Sequence, residues 1–387
     1  MGFSGPLLLL ICVLIELGIF TYQKKDIPWR EVIYNMNSGL IMMWVFRGVE
    51  LACFSYVLSN FSLNIVSSWP VVWQWVFTFF AWDFCFYWLH RMHHKIPLFW
   101  NIHVVHHQGE HFGLSLGTRN SWYSSLSSIP FFVGLAFLGV PFEIFIAISG
   151  FHYFIQFYNH NGVVGKSGFL EHFMVTPDRH RVHHGMNPEY IDKNFSGTFN
   201  VWDRLFGTFQ PRVEGVEIIY GIHDPVKSDN PFWGNNVPFM QAWNMKIPNF
   251  EQSEENKFTA KNSFIATGGV LCYLLVVYYI FREEQWTGMQ QLSMFSIVLF
   301  ATIALGGVSD NKLWGMVSWI LLSTILSAIF VIHYSVFDVW ALSVFGLFFL
   351  HGLMRLFSQV RQHIPSCWIL MPSYRAKLLQ AEQRRQL

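Results

Sequence analysis

Residues 88–107 read WLHRMHHKIPLFWNIHVVHH, and residues 180–184 read HRVHH. His90 and His94 are four apart and share one face of a helix. His103, His106 and His107 are spaced i, i+3, i+4, as are His180, His183 and His184, so each cluster can aim imidazoles at one point if its segment is helical. Thirteen of the 17 histidines fall between His90 and His184, which points to a shared task. Imidazole suits zinc, copper, iron and nickel. A neutral ring also brings no charge into a low-dielectric site. Eight or nine convergent histidines exceed the needs of a single four-coordinate zinc and fit two metals better. Iron is the expected metal where the task is oxidising an unactivated C–H bond, because zinc has no redox chemistry.

The histidines lie beside apolar segments. The 387-residue chain is 52% hydrophobic and 13% charged, with a mean hydropathy of +0.32. Soluble domains carry about 25% charged residues. The expected fold is therefore an all-α polytopic membrane protein, a helical bundle with a histidine-rich di-metal site at one face. Spans are expected near 5–21, 38–59 and 70–89, with a helical hairpin over 129–158 broken at Gly139–Pro141. A polar stretch follows over 161–261, then extra C-terminal spans near 263–281, 291–308, 313–333 and 336–354. Domains divide accordingly into N-terminal transmembrane helices (1–69), a catalytic region (70–225), a cytoplasmic linker (226–261), C-terminal transmembrane helices (262–358) and a basic cytoplasmic tail (359–387).

The segment 7–20 lacks a preceding Lys or Arg and a small-residue cleavage pattern, so it reads as a first membrane helix rather than a removable signal. With an outside N terminus, the basic segment TYQKKDIPWR, the polar stretch and the tail all fall on the cytoplasmic face, and the histidine clusters fall there too. The expected location is a multi-pass membrane protein of the endoplasmic reticulum in a eukaryote or the inner membrane in a bacterium. A net charge of +1 gives no sign of nucleic-acid binding. Cys12, Cys53, Cys85, Cys272 and Cys367 form no CxxC pair and read as buried small hydrophobes. Arg47 and Glu50, three apart inside the second span, read as a local ion pair.

HRMHH, HVVHH and HRVHH, with their flanks over 88–107 and 176–211, resemble the histidine boxes of the fatty acid hydroxylase and sterol desaturase superfamily. The resemblance covers roughly 70–225, and the second stretch is especially similar to the alkylglycerol monooxygenase branch, which also has extra C-terminal helices. It implies a non-haem di-iron lipid monooxygenase with His90, His94, His103, His106, His107, His180, His183 and His184 as ligands. The word QFYNH at 156–160 supplies His160 as a ninth. The implied substrate is an alkylglycerol, sterol or fatty acyl lipid, oxidised by O2 with electrons from a partner protein or from tetrahydropterin. One departure stands out: the ether-cleaving branch has a glutamate after the first box, where this chain has Lys95.

Around the boxes, Asp178, Asp192, Lys193, Asn194 and Asp203 can offer carboxylates or carbonyls to the ligands' second ring nitrogens. VWDRLFGTF at 201–209 reads as an amphipathic interfacial segment that closes the site. His93, His111 and His172 fall outside the pattern, and His152 shares a helical face with His160 as a pocket residue. Desaturation is an alternative within the same chemistry. From other classes, a metal transporter would line a pore at the membrane midplane. A zinc hydrolase would need a HExxH-type base, and the sequence contains no such motif.

Overall fold

The computed structural model describes residues 4–38, 40–250 and 259–363. The tail expected from 359 onward lies, past residue 363, outside the described residues. Among the described residues the chain is helical, with one isolated bridge between Met174 and Phe199. Helices α1 (Ser4–Tyr22), α2 (Trp29–Asn37) and α3 (Leu40–Phe61) open the chain. Then come α4 (Val71–Lys95), α5 (Pro97–His107), α6 (Ser124–Phe137) and α7 (Phe142–Asn159). Three shorter helices, α8 (Pro177–His183), α9 (Val201–Leu205) and α10 (Pro231–Ala242), lie in the polar stretch. The last group is α11 (Asn262–Arg282), α12 (Gly288–Ser309), α13 (Leu313–Leu321), α14 (Ser327–His333) and α15 (Val339–His363). A π-helical turn, Leu322–Leu326, joins α13 to α14.

Among the described residues, six stretches are long and apolar enough to cross a membrane: Gly5–Tyr22, Trp29–Phe61, Asn262–Gln285, Gly288–Ser309, Leu313–His333 and Val339–Phe357. The third span expected from sequence, 70–89, lies in α4, whose 25 residues are long enough but which is not among the six. Gln74, Thr78, Asp83 and a run of Trp and Tyr lower its hydropathy. The hairpin expected over 129–158 forms as α6 and α7. Gly139 turns the chain between them at φ +86°, and a Cβ there would meet the Asn64 Cα at 2.8 Å. Pro141 then leads into α7. Helix α2 has no counterpart in the sequence reading. It buries Val32, Ile33 and Met36 against α11 and α1.

The two largest apolar cores among the described residues hold these helices together. One unites α3, α4, α6 and α7 around Phe54, Trp82, Phe132 and Phe145. The other fills the C-terminal bundle around Met294, Trp319 and Phe348. In that bundle α12 and α13 touch backbone to backbone: a Cβ on Gly315 would lie 2.3 Å from the Gly307 carbonyl carbon. Thr287 and Gln290 close the start of α12 with reciprocal capping bonds. Arg47 and Glu50 pair at 2.6 Å within α3, and Arg47 also donates to the Ser149 hydroxyl of α7. Cys12, Cys53, Cys85 and Cys272 are free thiols, and Cys367 lies outside the described residues.

Candidate metal centre

The bend between α4 and α5 begins the site. Pro97 is the first residue of α5, and a proline forces the residue before it out of helical geometry. Ile96 is accordingly extended, at φ −105° and ψ 119°. The chain folds back, so the histidines at the end of α4 meet those of α5. His160 caps α7, and Pro177 starts α8, which carries the third box.

These elements bring all nine sequence-nominated histidines into two groups. His90, His94, His103, His107 and His183 form one, and His106, His160, His180 and His184 form the other. Within each group the nearest ring nitrogens all lie within 4.8 Å of one another. The repeated i, i+3, i+4 spacing has a structural use. His103 and His107, one turn apart, face the five-histidine group, and His106 between them turns to the four-histidine group. In the third box His180 and His184 face the four-histidine group, and His183 faces the other. The second and third boxes therefore each serve both groups, and the first box, through His90 and His94, serves the five-histidine group alone. The His107 and His184 rings stack across the boundary with centroids 4.6 Å apart. Seven of the nine rings are buried, and His94 and His103, both in the five-histidine group, are half-buried.

Four of the far ring nitrogens are held by backbone carbonyls. His90 Nδ1 lies 2.8 Å from the Phe195 carbonyl, His106 Nδ1 2.8 Å from that of Arg119, His160 Nδ1 2.8 Å from that of Gln156, and His183 Nδ1 2.9 Å from that of Lys193. A carbonyl only accepts, so each Nδ1 is the protonated nitrogen and each Nε2 keeps a lone pair. Yet the Nε2 atoms of His160 and His106 stand 3.1 Å apart, those of His90 and His103 3.0 Å, and those of His183 and His107 3.1 Å. His160 and His106 both have Nε2 lone pairs, and two lone pairs at that distance repel unless a cation lies between them. Metal–imidazole bonds of about 2.0–2.1 Å set cis nitrogens roughly 3.0–3.4 Å apart. His94 Nε2 is buried without a hydrogen-bond partner, which also suits a ligand atom. The donor set thus fits two metal ions.

Burial, reinforced by neighbouring imidazoles, holds His103, His107, His180 and His184 well below the usual histidine range. The same is true of His106 and His183, and burial pushes His160 down to about 4. All seven rings are neutral near pH 7, the form that binds a metal.

Supporting residues divide as follows. The buried Arg119 side chain donates to the Val105 carbonyl and to Asn35 Oδ1 and lies 4.3 Å over the Tyr34 ring, which fixes the carbonyl that holds His106. Asp203 accepts from the Phe195 and Ser196 amides and the Thr208 hydroxyl, steadying the carbonyl that holds His90. Asp203 is the inward residue of α9, and Val201 and Leu205 are exposed. Asp192 stands 3.4 Å from His94 Nδ1 and pairs with Lys95. Its contact with His94, joined by Lys95, holds its carboxyl down at about 2 against the opposing effect of burial. Asp178 faces Arg212 rather than a ligand.

His93 bonds Ser127, His111 pairs with Glu31, and His152 lies between Thr198, the Phe79 carbonyl and the Trp82 ring, all outside the two groups. Sequence reasoning missed Glu16 of α1, whose carboxylate accepts from the Leu114 and Gly162 amides and secures the loops after α5 and α7. An acid inside an apolar helix is the signal that marks it.

The fatty acid hydroxylase family model matches residues 75–208, which include all nine histidines. Alkylglycerol monooxygenase of Xenopus tropicalis is 38% identical over 239 residues, covering 60% of this chain and 52% of its own length. The protein of that name in Homo sapiens is 33% identical over 224 residues, covering 57% and 49%. Ornithine lipid hydroxylase OlsE of Rhizobium tropici is 30% identical over 157 residues, covering 39% and 46%. The chain spans about half the length of the curated relatives it matches. No solved structure matches. The stretch matched by the fatty acid hydroxylase model, residues 75–208, is the one that places both histidine groups.

Proposed function

We propose that the chain is a membrane-bound, iron-dependent lipid monooxygenase. The observation that carries this reading is the convergence of nine imidazoles into two adjoining groups. The relatives' names, alkylglycerol monooxygenase and ornithine lipid hydroxylase, support the substrate class. Bound iron would supply the redox chemistry that lets O2 attack a C–H bond, which side chains alone lack. The chain's own part is to keep the imidazoles neutral, to hold the Nδ1–H of His90, His106, His160 and His183 on fixed acceptors and to exclude water by burial. The reaction balances as one O2, two electrons and two protons, with one oxygen entering the lipid and the other leaving as water. Neither group contains a carboxylate that could serve as the base of a zinc hydrolase. None of the nine histidines falls in the six membrane-crossing stretches, as a pore would require.

The favoured substrate is a glyceryl ether. Hydroxylation at the ether carbon gives a hemiacetal, which collapses to a fatty aldehyde and free glycerol. Lys95, standing where the ether-cleaving branch has a glutamate, favours a second reading in which an acyl or sterol carbon is hydroxylated with electrons from a protein donor. The test is an aerobic assay on an alkylglycerol with tetrahydropterin. Aldehyde release supports ether cleavage. Iron without aldehyde moves the assignment to the second reading.

The site is proposed to face the cytoplasm. Arg30, at the start of α2, bonds Asp229 and the Ser309 carbonyl, so the loop after α1 shares an end of the molecule with the turn after α12. Lys227→Cys should then label with a membrane-impermeant thiol reagent only from the cytoplasmic side. Labelling from outside would reverse the orientation.

A further inference from the structure

Lys95 follows the first histidine box without belonging to either histidine group, and its surroundings supply it with a task. Its ammonium pairs with the Asp192 carboxylate, which reaches toward His94 Nδ1. Asp192 opens the turn Asp192–Lys193–Asn194–Phe195. The next carbonyl, Lys193, accepts from His183, and that of Phe195 accepts from His90. One turn therefore faces the far nitrogens of three histidines, and all three belong to the five-histidine group. The four-histidine group is held elsewhere, His106 by Arg119 and His160 by Gln156.

The turn is shaped for this. Asp192 and Asn194 sit at φ +59° and +55°, the left-handed region that Asp and Asn tolerate best among residues with a side chain. The carbonyls that accept, those of Lys193 and Phe195, each follow one of these two left-handed residues. The Asn194 side chain bonds the Arg179 and Gln210 carbonyls and accepts from the Gln210 amide, and Asp203 takes the Phe195 amide. Those bonds fix the far end of the turn. Its near end is tied to α4 by the Lys95–Asp192 pair, one residue beyond His94.

We propose that Lys95 is a positioning residue that clamps this turn to α4 and thereby sets the geometry of the five-histidine metal site and not of the four-histidine site. The inference rests on the metal-centre reading above. It gives the two metal positions unequal dependence on one surface ion pair, and it gives Lys95 a structural reason to be a cation.

The test uses the full-length chain in detergent, loaded with 57Fe(II) and titrated with a competing chelator, with each site followed by its Mössbauer doublet. In Lys95→Met, one of the two irons should bind about 10–100-fold more weakly, the range typical when a ligand's supporting partner is lost. The other should be unchanged and so report that the protein is folded. Lys95→Arg keeps a cation for Asp192 and should restore the weakened site. Asp192→Ala should weaken the same iron as Lys95→Met. Both irons at wild-type affinity in Lys95→Met and Asp192→Ala would overturn the clamp alone. Parallel loss of both irons would also overturn it. A wild-type chain that binds no iron defeats the metal-centre reading, and this inference with it.

Discussion

Neighbouring histidines in one box serve different centres. His106 and His107 are consecutive, so their side chains leave the helix about 100° apart, and one group cannot use both. That division was legible in the i, i+3, i+4 spacing only as convergence. Which ring joined which group needed the fold, because the partner rings come from α4, α7 and α8. The acceptors on the far nitrogens were less legible still. The Lys193 carbonyl, read as a support for a ligand, does accept from His183, but the equivalent carbonyls of Arg119 and Gln156 carried no signal, because every residue has a backbone oxygen. At this scale His111 makes a testable case. Its hydrogen bond to Glu31 raises its pKa above the usual 6.5, with burial opposing. The pair's contribution to stability is therefore present below about pH 6.5 and is lost as pH rises through the folded-state value. The ring is more than half exposed, so the effect on stability is small. An NMR titration should find His111 above 6.5, and Glu31→Gln should bring it down. An unshifted His111 in the wild type would contradict the pairing.

Among elements, α4 was read as a span, and it serves as the wall from which the site hangs. Asp83 in its middle accepts from the Thr198 and Phe199 amides and the Trp202 indole, so the loop after the third box is bonded to it. Helix α9 was read as an amphipathic interfacial cover; it turns apolar Val201 and Leu205 outward and buries Asp203. Asp203 collects the Phe195 and Ser196 amides. Asp203→Ala should leave those buried donors unmatched and cost roughly 2–3 kcal/mol, since each unsatisfied buried group costs about 1–3 kcal/mol. A lowered thermal midpoint in detergent, together with weaker iron binding at the five-histidine group, checks this. An unchanged midpoint would mean that water replaces the carboxylate. Helix α2 escaped the sequence reading because WREVIYNMN is short and mixed in polarity. Its apolar residues at 32, 33 and 36 were a helical signal overshadowed by the apolar run after it.

Taken whole, the molecule sets the segment that matches the fatty acid hydroxylase model between apolar helices on both sides in sequence. The all-α membrane class was legible because hydropathy and low charge are summed over long segments. The count of crossings was less so, because aromatic-rich α4 sits between a span and a buried wall. The four C-terminal stretches, Asn262–Gln285 onward, pack through close glycine contacts and α2, and no ligand histidine comes from them. The proposed activity depends on the two histidine groups holding iron. The most direct measurement is iron per chain in the purified protein, compared with His106→Ala. The account predicts about two irons in the wild type, one for each group, and loss of the four-histidine iron in the variant with turnover abolished. Zinc in place of iron, no metal, or a His106→Ala protein with full iron and full activity would contradict it.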